Sequence, residues 1–213
     1  MRAAPFSRAA KSIADRPRSS YGSAAQATRR AFLGLTALAA TSALAKAADV
    51  NLEYRSGRLL WPGGNARAAV GRAGVAANKR EGDGATPSGT YPLVSGFYRA
   101  DRLAAPRSGL AMRVLSPHDA WVDDPADASY NRLVALPYPA HAEPMWLDDV
   151  VYDLVVVVGY NMNPVVPDLG SAIFLHIARP DFSPTAGCIA VEREALLRLL
   201  PVLGPGSTIT IRG

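Results

Sequence analysis

Ile173-Phe174-Leu175-His176-Ile177-Ala178-Arg179-Pro180-Asp181-Phe182-Ser183-Pro184-Thr185-Ala186-Gly187-Cys188-Ile189-Ala190-Val191 is the most informative stretch of this chain. It opens on an apolar run, Ala172–Ile177, that reads as a strand carrying His176 near its end. A loop with two prolines follows. The chain's single cysteine lies twelve residues after the histidine, behind Gly187. The next segment, Glu192–Leu200, is the one convincing helix: Leu196, Leu197, Leu199, Leu200 and Leu203 repeat at helical spacing. Glu192 and Glu194 lie in its first turn, where the helix dipole favours acids. Pro201, Gly204 and Pro205 limit its end. The expected order is therefore strand, loop, cysteine just before a helix.

Working outward, the remaining segments read as strands. Leu52–Arg55 and Arg58–Trp61 flank Ser56-Gly57, a hairpin signal. Ala66–Gly71, Thr90–Arg99, Arg132–Leu136 and Ser207–Arg212 are further strands. Val150–Tyr160 is a long one, and its Val155–Val158 centre lacks polar alternation, which predicts burial on both faces. Lys79–Gly89 is a loop, and residues 100–129 read as irregular. Short strands with frequent turn signals and one helix predict a mainly β fold: a β-sandwich or barrel-like core with one C-terminal helix and Pro-rich insertions. Six prolines between residues 100 and 149 would hold that insertion as a rim or lid.

Composition excludes other classes. About half of the 213 residues are hydrophobic and 19% are charged, the balance of a packed domain. One cysteine rules out an intrachain disulfide and Cys-rich zinc ribbons. The net charge of +5 is local: eight of 23 Lys/Arg but one of 18 acids lie in 1–47, leaving −2 for 48–213. Nucleic-acid binding has no electrostatic footprint in that remainder.

Residues 1–47 predict a cleaved export signal. An Arg-rich start leads to Thr28-Arg29-Arg30-Ala31-Phe32-Leu33-Gly34, a mildly apolar run to Ala45, and the small-residue site Ala45-Lys46-Ala47. The paired arginines before Phe-Leu are of twin-arginine type. The apolar run is too short to span a bilayer comfortably, so no stable membrane insertion is expected after cleavage. Residues 48–213 are then a single exported domain of the periplasm or cell envelope.

A lone thiol in an oxidising compartment is either an inert core residue or a reactive one. His176 could take the Cys188 proton or hold an imidazolium–thiolate pair. Gly187 would let backbone approach a carbonyl, and the amides around Gly187 and Cys188 could form an oxyanion hole. By spacing alone this is a weak signal, and a buried structural cysteine is the plainer reading.

Two motifs sharpen it. Gly82-Asp83-Gly84-Ala85-Thr86-Pro87-Ser88-Gly89-Thr90-Tyr91-Pro92-Leu93 resembles the TPxG strand-opening motif of the L,D-transpeptidase catalytic-domain (YkuD-like) family, and the later His followed by Thr-x-Gly-Cys resembles its active-site signature. The resemblance covers roughly Arg58 to Arg212. It implies an exported enzyme of the peptidoglycan stem peptide. The thiol attacks the carbonyl between a diamino acid and a terminal D-alanine, and an amine of a neighbouring stem takes the acyl group from the thioester. It implies Cys188 as nucleophile, His176 as general base and acid, Gly187 and the Cys188 amide as oxyanion contributors, and no metal or organic cofactor. Water as acceptor gives the alternative of an L,D-carboxypeptidase or amidase. A non-catalytic wall-binding module is the alternative of another class. A papain-like order, cysteine before histidine, is absent.

The chain departs from the family pattern. Ala186 stands where a histidine commonly precedes Gly-Cys, Ala190 and Val191 stand where an Arg or Asn follows, and the His-to-Cys loop is short. Arg132 and Arg179 are candidates for the missing cation, since an arginine fork suits a carboxylate. Thr185 and Tyr130 are further candidate substrate contacts, and Trp121 and Trp146 are aromatic candidates for a groove. His118, His141, Asp123-Asp124 and Asp148-Asp149 read as solvated surface, and His176 with Cys188 lacks the local spacing of a zinc site.

Overall fold

The computed structural model describes residues 49–213; the export-signal expectation for 1–47 lies outside them. One strand is long enough to pair twice, and that closes the sheet. β6 (Gly89–Tyr98) bonds β14 (Thr208–Ile211) along its first residues and β11 (Leu154–Val158) along its last. Between these two neighbours run β12 (Phe174–Ile177), β13 (Ile189–Val191), β3 (Gly64–Ala69), β2 (Arg58–Trp61) and β1 (Asn51–Arg55). A ring of eight strands results, with β7 (Met112–Val114) added on β6, while β4 (Val75–Ala76) and β5 (Thr86–Pro87) form a separate parallel pair. Closure removes the free edges that an open sheet would expose.

Inside lies one apolar cluster, including Leu52, Leu59, Leu93, Leu175, Ile189 and Ile209. Helix α1 (Arg193–Leu199) and a following 3-10 turn (Leu200–Val202) add Leu196, Leu199, Leu200 and Leu203 to it. Leu197, expected on the same face, is 39% exposed, because its position turns away from the packed stripe.

A second cluster sits on the other face of β11 and β12. There Val155, Val157 and Phe174 meet Leu115, Trp121 and Met145 of the 100–149 insertion. The insertion is not irregular throughout: β8 (Asp119–Val122) pairs with β9 (Leu133–Ala135) on one side and β10 (Ala142–Pro144) on the other. β9 is the strand read over Arg132–Leu136, while β8 and β10, three or four residues long and set among prolines, escaped pattern reading. β11 is buried throughout, as its unbroken valines predict, because both clusters claim it. It starts at Leu154, not at Val150. Residues 150–153 turn instead, with Asp153 N–H donating to the Val150 carbonyl. Asp153 is 1% exposed there and accepts from Arg102 at 2.7 Å and Arg193 at 2.5 Å.

Candidate active site

Strand register brings histidine and cysteine to one face. β12 and β13 run parallel, with Leu175 opposite Ile189 and His176 opposite Ala190. Side chains alternate along each strand. Leu175, Ile177, Ile189 and Val191 therefore enter the barrel core, while Phe174, His176 and Cys188 face outward beneath the insertion. A short buried strand thus separates Cys188 from α1, where the sequence suggested direct entry into the helix. Ala190, opposite His176, is buried and supplies no cation to the site.

The loop before the cysteine is clamped by the TPxG motif. Thr86 is fully buried; its hydroxyl donates to the Gly187 carbonyl at 2.7 Å and accepts from the Gly71 amide at 2.9 Å. Thr185 closes the turn, donating to the Cys188 carbonyl at 2.7 Å and accepting from the Gly187 amide at 3.1 Å. Gly187 has φ +151°, and a Cβ there would stand 3.0 Å from the Ala85 carbonyl oxygen. Its role is thus conformational. Its amide is engaged by Thr185, which removes it from the expected oxyanion pair.

Cys188 Sγ–H donates to the Ala172 carbonyl at 3.2 Å, and Sγ accepts from the Phe174 amide at 3.4 Å. Burial pushes the thiol up to about 12, and the negative charge of Glu143 pushes the same way. His176 is 6% exposed. Its Nδ1 lies 2.9 Å from the Ile177 carbonyl, which can only accept, so Nδ1 carries the proton and Nε2 is the acceptor. Burial lowers its pKa to about 4. At neutral pH the pair is a neutral thiol and a neutral imidazole, the state in which a general base works, and not a standing ion pair.

Both groups line a cleft of about 320 Å³. Arg72, Lys79 and Arg179 supply positive charge to it, and Glu81, Asp123 and Glu143 negative charge. Arg179 and Thr185 line the cleft, and Arg179 is held by Asp149 at 2.8 Å. Arg132 and Tyr130 do not line it. Arg132 Nη2 donates to the Met162 carbonyl, and Tyr130 is buried, donating to Glu81 at 2.5 Å. Trp121 is core, donating to Asn131 and packing edge-on to Phe174; Trp146 covers the Arg99 guanidinium at 3.5 Å. His118 is exposed, and His141 is a surface partner of Asp123.

Four residues escaped the sequence reading: Lys79, Asn131, Glu143 and Tyr152. Lys79 is buried and paired with Asp83 at 2.7 Å. Asn131 accepts from Ala172 N–H and Trp121 Nε1–H and donates to the Tyr160 and Asn161 carbonyls. It thereby holds Ala172, at φ +51°, whose carbonyl engages the thiol. Tyr152 donates to Glu143 at 2.8 Å. Asn131 reaches up to 41 residues along the chain, and the Lys79–Asp83 and Tyr152–Glu143 pairs, though only four and nine residues apart, belong to no periodic pattern that marks a cleft.

The closed barrel, the loop anchored by Thr86 and the outward-facing His176 and Cys188 thus meet at one cleft. The L,D-transpeptidase catalytic domain, YkuD, matches residues 45–211, and the chain belongs to that family. Among curated proteins, none matches the chain.

Proposed function

We propose that the protein is an exported L,D-transpeptidase that remodels peptidoglycan through a Cys188 thioester. The family gives it cell-wall transpeptidase chemistry in general terms. The observation that carries the specific reading is the placement of Cys188 and His176 in one cleft, with His176 Nε2 left as a proton acceptor. In the reaction, His176 Nε2 takes the thiol proton as Sγ bonds the stem-peptide carbonyl. The same proton passes to the D-alanine nitrogen as the C–N bond breaks. The Cys188 amide faces the developing oxyanion. An amine of a second stem then attacks the thioester and restores the thiol. Arg179, one of three cleft cations and half-exposed beside Asp149, is the one assigned to a stem carboxylate.

Intact mass of the protein after incubation with a disaccharide-tetrapeptide and with a carbapenem tests this. We expect adducts on wild type and none on Cys188→Ala, with cross-linked dimers among the products. Shortened stems without dimers would assign a hydrolase instead. A folded wild type without adduct or product would make it a wall-binding module. Export by the twin-arginine route predicts that Arg29→Lys with Arg30→Lys retains the precursor in the cytoplasmic fraction.

A further inference from the structure

Tyr152 faces the nucleophile, yet general-base chemistry gives it no task. It lies in the turn before β11, 6% exposed. Its ring stands edge-on to His176 at 5.5 Å and to Phe174 at 5.8 Å, and its hydroxyl donates to Glu143 Oε1 at 2.8 Å. Glu143 belongs to β10 of the insertion, opposite Trp121, and lines the cleft together with Tyr152, His176 and Cys188.

A phenol has one proton. Committed to Glu143, it leaves only oxygen lone pairs for the sulfur. Those lone pairs repel S⁻, and the Glu143 carboxylate adds its own repulsion, whereas the phenol O–H turned to the sulfur would lower the thiol's pKa; the S–H itself is donated to the Ala172 carbonyl. The phenol itself stays protonated, because burial and the neighbouring Cys188 and Glu143 raise it well above its ordinary value. The other charges facing this group are Lys79 toward Cys188, Arg179 toward Tyr152 and His176, Asp149 toward His176, and Asp123, Glu81 and His141 toward Glu143. Glu143 is the acid hydrogen-bonded to Tyr152, so its charge state sets where the phenol's proton points.

We propose, on the reading that Cys188 is the nucleophile, that Glu143 and Tyr152 are positioning residues that keep the thiol protonated in the empty cleft, and that a substrate ammonium group at Glu143 releases it. The ammonium N–H occupies the carboxylate. The Tyr152 hydroxyl leaves Glu143 Oε1 and donates to Sγ, while the thiol proton goes to His176 Nε2. No bond of the phenol breaks. The arrangement suits an exported thiol, since a standing thiolate is the form that oxidises. It also assigns the stem's free amine, which a diamino acid carries, to the insertion side of the cleft.

The test is the pH profile of iodoacetamide alkylation of Cys188, followed by intact mass, in wild type, Glu143→Gln, Tyr152→Phe and the double variant. Glutamine keeps the shape and acceptor oxygen of Glu143, and phenylalanine keeps the packed ring. We expect Glu143→Gln to lower the alkylation midpoint by about one pH unit, a tenfold change in thiolate equilibrium. In the Tyr152→Phe background the same change should have less than half that effect. An unchanged or raised midpoint overturns the proposal, as does an equal effect in both backgrounds. A second arm compares acyl-enzyme formation from stems with a free and an N-acetylated side-chain amine. The free amine should acylate wild type faster, by about tenfold, and equal rates overturn the ammonium step. This arm needs only wild type, so it decides that step even if Glu143→Gln fails to fold. If neither stem acylates wild type, the transpeptidase reading fails, while the alkylation profiles still decide the Glu143–Tyr152 coupling.

Discussion

His176 bears the cost of its position in measurable form. Its folded pKa, about 4, lies below the ordinary 6.5, so the unfolded chain binds the extra proton between those values. The stability that rests on the neutral ring is complete above pH 6.5 and falls as pH drops toward 4, by roughly 3 kcal/mol in all. Thermal melts between pH 7 and 4 should show this decline, and His176→Gln should flatten that part of the profile. The same variant should slow acyl-enzyme formation by about 10²–10⁴-fold without loss of fold, measured by single-turnover mass spectrometry. Gly187→Ala meets the positive φ and the Ala85 carbonyl together. It should cost about 1–3 kcal/mol and displace the thiol, seen as a loss of adduct formation greater than the loss of Tm.

At the scale of elements, the site is a consequence of parallel pairing between β12 and β13. A shift of one residue would turn His176 into the barrel core and Leu175 to the cleft. The Thr-Pro loop resists such a shift, because Thr86 joins the Gly71 amide to the Gly187 carbonyl. Thr86→Val removes both bonds and leaves two buried backbone groups unpaired. A loss of about 2–4 kcal/mol is expected in denaturant titration, with slower acylation by the surviving folded fraction. Several elements are legible in the sequence: the β1–β2 hairpin, β6, β12, α1 and β14 each carry a periodicity or turn signal. β13 was not legible. Three residues, Ile189-Ala190-Val191, offer too short a pattern and stand directly before a helix. Of the insertion strands β9 was legible, while β8 and β10 escaped for the same reason as β13, and Val150–Asp153 reads as strand by propensity while Asp153 is bound to two arginines in a turn.

For the whole molecule, Asp153 is the tie between regions distant in sequence. Arg102 comes from the start of the insertion and Arg193 from α1, and both donate to one buried carboxylate. Asp153→Ala leaves two arginines facing a gap. It should cost about 3–5 kcal/mol and lower Tm by on the order of 10 °C, with the insertion losing amide protection together with α1 in hydrogen exchange.

The chain's own residues, read in order, determined the mainly β class, the double burial of β11 and the terminal helix, because period and turn chemistry are local properties; His176 and Cys188 stood out through motifs that resemble a family, not through their spacing. Tertiary structure alone decided which candidates share the cleft. It admitted Arg179 and Thr185, dismissed Arg132 and Tyr130, and added Lys79, Glu143 and Tyr152. The reason is physical: which face a side chain takes follows from strand pairing across 10 to 100 residues, and whether a charge borders a cleft follows from what else must be buried beside it.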